Sequence, residues 1–355
     1  MKNRAKIVDT ESRDLIWDEF HIDPKQLKNV RVLESSLYLT RGCNLKCQYC
    51  KIIKTELPRE LTIEDWMDVM DVLEELGVMY VNIAGGEPTI LKGLGRLISH
   101  LNTKKSMKYS LVSNSMFNDR KLEELVNAGL QAYVASVDVL SKKEQNLHDL
   151  KKASAGIRML EKLKAYNIPY LCANIVVSGT NIDNVLDVVT FLNDNGYFVN
   201  ICPIIWGTGD KWDKIEAADQ LYRLREEHRE KLLTISEKLI EMKKGGANII
   251  PTESYLRDMP GRAIKLDWHC SKGLNGVNPP RLTIDADGSL MTCINMRGET
   301  SKKYSIFDLK EKEVYDRYVN SWQEESKKCN GCYWSTMVMA RERQDMLEAF
   351  KQEVQ

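Results

Sequence analysis

The 355-residue chain has no net charge, since 51 lysines and arginines face 51 aspartates and glutamates. That balance removes the usual electrostatic argument for a nucleic-acid or anionic-membrane partner. No apolar run reaches the length of a membrane span. The first residues, Met1 to Glu11, are charged and lack the apolar stretch of an export signal. Without such a signal, an odd cysteine count, nine, argues for a cytoplasmic protein that uses thiols for metal ligation rather than disulfides. The length exceeds what one small core needs, so one large domain with an appendage is expected.

What is present centres on Ser36 to Lys51. A short apolar strand there runs into Cys43, Cys47 and Cys50, with Tyr49 just before the third thiol. With cysteine at about one residue in forty, this Cys-x3-Cys-x2-Cys triplet arises by chance in roughly one such chain in two hundred. Three thiolates cannot complete a tetrahedral zinc site without a fourth ligand. They can hold three irons of a cubane cluster and leave the fourth open. A structural zinc knuckle or three unrelated thiols are the rival readings. A second constellation, Gly85-Gly86-Glu87-Pro88, ends the next candidate strand. Paired glycines let a backbone approach a ligand closely; Glu87 supplies an acceptor and Pro88 stiffens the turn. Alone this would be an ordinary tight turn.

Together the two segments resemble the signature of radical S-adenosylmethionine (SAM) enzymes. The resemblance implies a [4Fe–4S] cluster on Cys43, Cys47 and Cys50 whose open iron is chelated by SAM. One electron then cleaves SAM to methionine and a 5′-deoxyadenosyl radical. It also implies that Tyr49, Gly85, Gly86, Glu87 and Pro88 surround the cofactor. Further strand ends resemble the family more weakly: Ser113 and Asn114, then Ser136 ahead of Asp138, and Asn174, which could reach ribose. Each has the bland alternative of a satisfied polar residue at a strand-to-loop switch. His148-Asp149 followed by Lys152 resembles a His-Asp-x-x-Arg segment. Lysine cannot make the bidentate fork of that arginine with a SAM carboxylate.

The chain in order supports an α/β fold. Candidate strands are Leu37–Thr40, Val78–Ala84, Tyr109–Ser113, Ala132–Val137, Leu171–Val177 and Phe198–Ile205, short and apolar as parallel strands covered on both faces should be. Between them Thr62 caps one helix, Asp119 another, and Asn184–Asn195 makes a third. Ala217–Lys244 reads as a long charged outer helix and Ile249–Leu266 as a connector. The spacing alone leaves an open doubly wound sheet and a barrel as alternatives. The family resemblance favours a partial (β/α)6 barrel of the TIM type.

The last quarter carries Cys270, Cys293, Cys329 and Cys332. Two strand-like runs, Arg281–Asp285 and Ser289–Cys293, join through Asp287-Gly288 as a hairpin, and Ile306–Tyr318 reads as a helix. This order resembles the twitch form of the SPASM extension, which implies an auxiliary [4Fe–4S] cluster saturated by four cysteines. A four-cysteine zinc ribbon is the rival. Cys172 and Cys202 sit in apolar strands as small core residues. Cys202, near a strand end, is also a candidate hydrogen-atom donor. Arg341 and Arg343 read as part of a charged terminal helix.

The expected organisation is an N-terminal extension (1–34), a radical SAM partial barrel (35–248), a twitch-like auxiliary-cluster domain (249–340) and a helical tail (341–355). The expected function is hydrogen abstraction from a small metabolite such as a sugar or nucleoside. Dehydrogenation, epimerisation, decarboxylation or cross-linking would follow, with the auxiliary cluster passing an electron. A ribosomal-peptide maturase and an iron–sulfur carrier without radical chemistry are the alternatives. A flavodoxin- or ferredoxin-type protein is the expected electron donor. No leader-binding domain is evident near the N-terminus, which favours a small molecule or a peptide delivered by a separate partner.

Overall fold

The computed structural model describes residues 30–50, 57, 59–140, 147–205, 221–272, 278–294 and 296–354. Positions 1–29 of the expected N-terminal extension, and 217–220 of the expected charged helix, lie outside the described residues.

Six strands alternate with helices: β1 (Glu34–Tyr38), α1 (Ile63–Glu75), β2 (Tyr80–Ala84), α2 (Leu94–Leu101), β3 (Lys108–Ser113), α3 (Asp119–Asn127), β4 (Ala132–Ser136), α4 (Leu147–Ala165), β5 (Tyr170–Val177), α5 (Val185–Asp194), β6 (Phe198–Pro203) and α6 (Arg229–Lys244). In space β1 to β6 lie side by side in chain order, all parallel. A doubly wound sheet would reverse its order at a switch point. Continuous winding instead makes the partial barrel, with the helices on its outer face. Residues pointing outward from the strands, such as Leu37, Ile83, Leu111, Tyr133, Ile175 and Val199, are buried with the helix faces in one core.

The first strand begins earlier than expected, at Glu34, so polar residues enter the barrel wall. Thr62 caps α1 in a reciprocal capping box with Asp65. The cap of α3 is Asn118, not Asp119, which sits in the first turn and favours the helix dipole from there. The expected charged helix is interrupted at 223–225; a 3-10 turn at Glu226–His228 then leads into α6.

The expected connector after α6 contains a helix, α7 (Glu253–Lys265), with Pro260 inside it. Proline has no N–H, so the carbonyl of Leu256 loses its helical donor. Ser236 of α6 supplies one, its Oγ donating to the Leu256 oxygen at 2.6 Å. A breaker in the sequence is thus satisfied by a residue far away in the chain.

The C-terminal hairpin is β7 (Leu282–Ile284) and β8 (Leu290–Met291). It does not stand apart, because β7 pairs in parallel with the free edge of β1, extending the barrel sheet to eight strands. A short helix α8 (Glu299–Lys303) follows. The expected helix over Ile306–Tyr318 is a 3-10 turn, Ile306–Asp308, and then α9 (Lys312–Ser326). One helix, α10 (Ser335–Val354), runs across position 340. Its Arg341 is buried rather than solvated, donating to the carbonyls of Cys270 (2.8 Å) and Asn278 (2.7 Å). Among the described residues no helix is long and apolar enough to cross a membrane.

Ser236→Ala leaves the Leu256 carbonyl buried without its donor, which should cost about 1–3 kcal/mol of stability in urea unfolding. An unchanged midpoint would mean that α7 does not depend on this bond.

Candidate functional site

Barrels of this type usually fill their interior with branched side chains. Here many of the inward-facing positions are polar, beside apolar ones such as Val112 and Val134. Ser36, Asn82 and Ser110 stand in register on β1, β2 and β3, and Ser136, Asn174 and Asn200 on β4, β5 and β6. Ser110 Oγ donates to Asn82 Oδ1 at 3.1 Å, and Asn200 Nδ2 to Asn174 Oδ1 at 2.6 Å. The Oδ1 of Asn200 is buried with no partner. A cavity of about 320 Å³ remains, walled by these strands and closed on one side by Arg281, Trp334, Thr336, Met339 and Arg343. Sequence reading missed Glu34, Tyr80, Asn82, Ser110, Asn200, Arg281 and Arg343. The available signal was a polar residue at every second position of otherwise apolar strands.

Cys43, Cys47 and Cys50 line the same cavity on the loop that leaves the C-terminal end of β1. The approach to this loop is clamped. Glu60 accepts from Thr40 Oγ1 (2.7 Å) and Arg41 N (2.6 Å). The turn after β2 continues the sheet pairing, with Gly86 N donating to Thr40 O (2.6 Å) and Glu87 N to Gly42 O (2.8 Å). A Cβ at Gly86 would come within 2.0 Å of the Gly42 oxygen, so only glycine allows this approach. Asn114 Nδ2 bridges Cys43 Sγ (3.8 Å) and Asn44 Oδ1 (2.8 Å), and Leu45 N points to Cys43 Sγ (3.4 Å).

The remaining expected residues take distinct places. Glu87 is buried, and its carboxylate accepts from Thr89 N, Thr89 Oγ1, Ser113 Oγ and Asn114 N. Burial pushes its pKa up while these donors pull it down. Its role is to hold the ends of β2 and β3 together around the cavity. Pro88 is buried at the start of the 3-10 turn that follows. Lys152 is buried and spent on the protein: its Nζ pairs with Asp138 and donates to Tyr49 Oη at 2.7 Å. Burial pulls the Lys152 pKa down, but Asp138 and Tyr49 carry it well above the usual value. Tyr49 is wedged against Tyr222, with ring centroids 5.4 Å apart. The cysteine loop is therefore pinned to the end of β4. The side chains of His148 and Asp149 lie outside the described residues.

Cys270, Cys293 and Cys329 lie within electrostatic reach of Cys332. Burial raises the pKa of Cys332 well above the usual range, and charge on Cys270, Cys293 or Cys329 would raise it further. Burial likewise pushes Cys270 up to about 11. The Cys329-Asn330-Gly331-Cys332 turn closes on the end of α7: Cys332 N donates to Trp268 O (2.9 Å), and a Cβ at Gly331 would lie 2.1 Å from the Leu266 oxygen. Cys202, the candidate hydrogen donor, faces inward but is not on the cavity wall; burial pushes its thiol up to about 11, and Ser335 and Tyr255 lie against it. Of the two strand cysteines, Cys172 is the one on the cavity wall.

These features fit an iron–sulfur cluster with a bound nucleoside. The donors at the rim are soft thiols, whereas Glu87 and Asp138 are already taken by hydrogen bonds and an ion pair. Among the described residues no three His, Cys, Asp or Glu side chains gather as around one metal ion; ligands of a cubane are spread over its corners. The unpartnered Asn200 Oδ1 offers an acceptor to a ligand hydroxyl or amine.

Residues 37–192 match the model of the Radical SAM superfamily. The chain is 27% identical over 213 residues to GTP 3′,8-cyclase of Aquifex aeolicus, covering 56% of this chain and 65% of that one. It is 29% identical over 174 residues to the sporulation killing factor maturation protein SkfB of Bacillus subtilis, covering 47% and 41%. The chain thus spans less than two thirds of the length of either relative. In fold it is similar to Streptococcus suis SuiB bound to S-adenosylmethionine, with a TM-score of 0.63, 17% identity and coverage of 87% of this chain and 70% of that one. SuiB bound to its precursor peptide SuiA gives a TM-score of 0.60 at 15% identity, covering 91% and 75%.

Lys152→Met strands Asp138 in a buried site without its cation, which should cost about 3–5 kcal/mol in urea unfolding. A loss below 1 kcal/mol would mean that the pair does not secure the cysteine loop.

Proposed function

The chain carries a radical SAM domain, and from that premise we propose that it removes a hydrogen atom from a polar substrate held in the barrel lumen. The observation that carries this reading is the polar, cavity-forming interior facing the rim of Cys43, Cys47 and Cys50. Bound at those thiols, a [4Fe–4S] cluster with SAM supplies a 5′-deoxyadenosyl radical. The chain contributes position. Tyr49 and Lys152 fix the cysteine loop, Glu87 fixes the Gly85-Gly86 turn beside it, and Asn174 and Asn200 offer hydrogen bonds across the lumen. Such placement can be worth several orders of magnitude in rate.

Cys270, Cys293, Cys329 and Cys332 would hold a second [4Fe–4S] cluster, which would supply a site for accepting or relaying an electron. A flavodoxin- or ferredoxin-type protein supplies the reducing electron. The cavity is at the small end for ligand sites, which suits a small metabolite such as a sugar or nucleoside. The second reading is peptide maturation, favoured by similarity to SkfB and by the fold shared with SuiB. One or two peptide residues would fit the same space.

After anaerobic reconstitution, Cys43→Ala should abolish formation of 5′-deoxyadenosine from SAM under reduction. Cys329→Ala should retain that cleavage and lose substrate turnover. Cleavage by Cys43→Ala would contradict the assignment of the first site, and full turnover by Cys329→Ala would make the second one structural.

A further inference from the structure

We propose that the outer flank of the cysteine loop is a docking surface for an acidic one-electron carrier protein of the flavodoxin type. The inference rests on the reading that Cys43, Cys47 and Cys50 hold a redox cluster, and it adds where the reducing electron enters.

The cysteine loop divides two spaces. Cys43, Leu45 and Cys47 line the lumen, whereas Asn44 lines a separate open groove of about 540 Å³. Ile90, Met116 and Phe117 give this groove its apolar surface. Ile90 is 43% exposed and Met116 37%, and they share one groove rather than being scattered singly. The groove wall is tied to the first thiol. Asn114 Oδ1 accepts from Met116 N at 2.8 Å, while its Nδ2 reaches Asn44 Oδ1 (2.8 Å) and Cys43 Sγ (3.8 Å). Asn44 Nδ2 donates to the Met116 carbonyl at 2.7 Å. Ser115 holds a left-handed backbone, φ 63°, that serine seldom adopts, and its Oγ bonds the Tyr133 hydroxyl at 2.7 Å. Met116 is thus presented to solvent from a braced support, with two side-chain amides between its backbone and Cys43 Sγ.

Charge around the groove is positive in a chain whose net charge is zero. The lining includes Lys121 and Arg158 and no carboxylate. Lys46, Lys92 and Arg120 are exposed and stand two residues from the lining residues Asn44, Ile90 and Asn118. The neighbouring acids are occupied or face elsewhere. Asp119 pairs with Lys162, Glu124 pairs with Lys121, and Glu87 is buried inside its own hydrogen bonds. Glu123 follows Lys121 by two residues on α3, about 200° around the helix axis. Glu161, one turn beyond Arg158, acts on Tyr197 of the β6 end. Among the described residues Lys46, Lys92 and Arg158 have no ion-pair partner, and Arg120 acts on Glu124 only through its field.

A basic rim around an apolar floor, beside a cluster thiol, fits a partner with the opposite pattern: an apolar flavin edge ringed by carboxylates. Redox encounters of this kind bury little area and dissociate readily. Exposed cations at the rim speed the approach of such a partner and make it sensitive to salt. In the step itself one electron leaves the partner's fully reduced flavin and enters the cluster site. No bond forms or breaks.

The test uses the full chain with clusters reconstituted anaerobically. The probe is a purified bacterial flavodoxin of net negative charge, and binding of its oxidised form is read by titration calorimetry. Affinity should fall about tenfold as ionic strength rises from about 0.05 to about 0.3 M. Arg158→Glu and Met116→Glu, both at exposed positions, should each weaken binding about tenfold or more, and Lys238→Glu on α6 should not. SAM cleavage driven by reduced flavodoxin should fall by the same factor in the two groove variants, while cleavage driven by dithionite stays at the wild-type rate. Equal binding by wild type and Arg158→Glu, or an equal loss of cleavage with both reductants, would overturn the proposal. So would sedimentation of a dimer that Met116→Glu dissociates, because a second copy of the chain would then occupy the groove. Flavodoxin binding that the groove variants abolish, with no SAM cleavage under either reductant, rejects radical chemistry and leaves the docking surface standing. Cleavage under both reductants that neither variant changes rejects the docking surface alone.

Discussion

The ion pair between Arg41 and Asp285 holds both cysteine-bearing parts of the chain in one frame. The guanidinium meets the carboxylate as a fork, with Nε and Nη2 at 2.7 and 2.5 Å, and Asp285 is fully buried. Arg297 reaches the same carboxylate and continues to Asp287 in the hairpin turn. A buried pair of this kind adds little net stability, because desolvation offsets the attraction, but its geometry is specific. Cys43 follows just beyond Arg41, and Cys293 closes the hairpin that Asp285 opens. The pairing of β7 with β1 carries the same link through the backbone. On the proposed reading, this frame would hold the two cluster sites at a fixed separation.

The polar lumen is the second constraint. Outward positions on the six strands are apolar and packed, so they account for the core. Many inward positions carry hydroxyl, amide and ionic groups that add little to a core and must be satisfied where they are buried. Most satisfy one another across strands, as Asn174 with Asn200 and Asn82 with Ser110 do. A few do not, including Asn200 Oδ1 and Arg281 Nε. Unsatisfied atoms at the wall of a cavity are places where a ligand repays a cost already carried by the fold.

Much of this was legible in the sequence. The six strands, the capped helix after β1 and the hairpin at Asp287-Gly288 follow from local period and turn chemistry. The cysteine triplet and Gly85-Gly86-Glu87-Pro88 stand out because metal ligation and close backbone approach demand particular residues. What was not legible depends on distant partners. Pro260 reads as a breaker until Ser236 supplies the missing donor. Arg343 reads as part of a charged terminal helix, yet it forms an ion pair with Glu34 of β1. Lys152 looked like a poor substitute for a SAM-binding arginine; Asp138 and Tyr49 give it a different occupation. Cys172 and Cys202 share inward-facing strand positions. Only packing by Tyr255 and Ser335 decides which thiol reaches the cavity.

The central claim is a three-thiol cubane with one iron left for SAM. Mössbauer spectroscopy of protein reconstituted with 57Fe, before and after SAM is added, tests it most directly. The account predicts about eight irons per chain in two [4Fe–4S] clusters, with SAM shifting the signal of one iron alone. A spectrum without a cubane cluster, or one that SAM leaves unchanged, would contradict it.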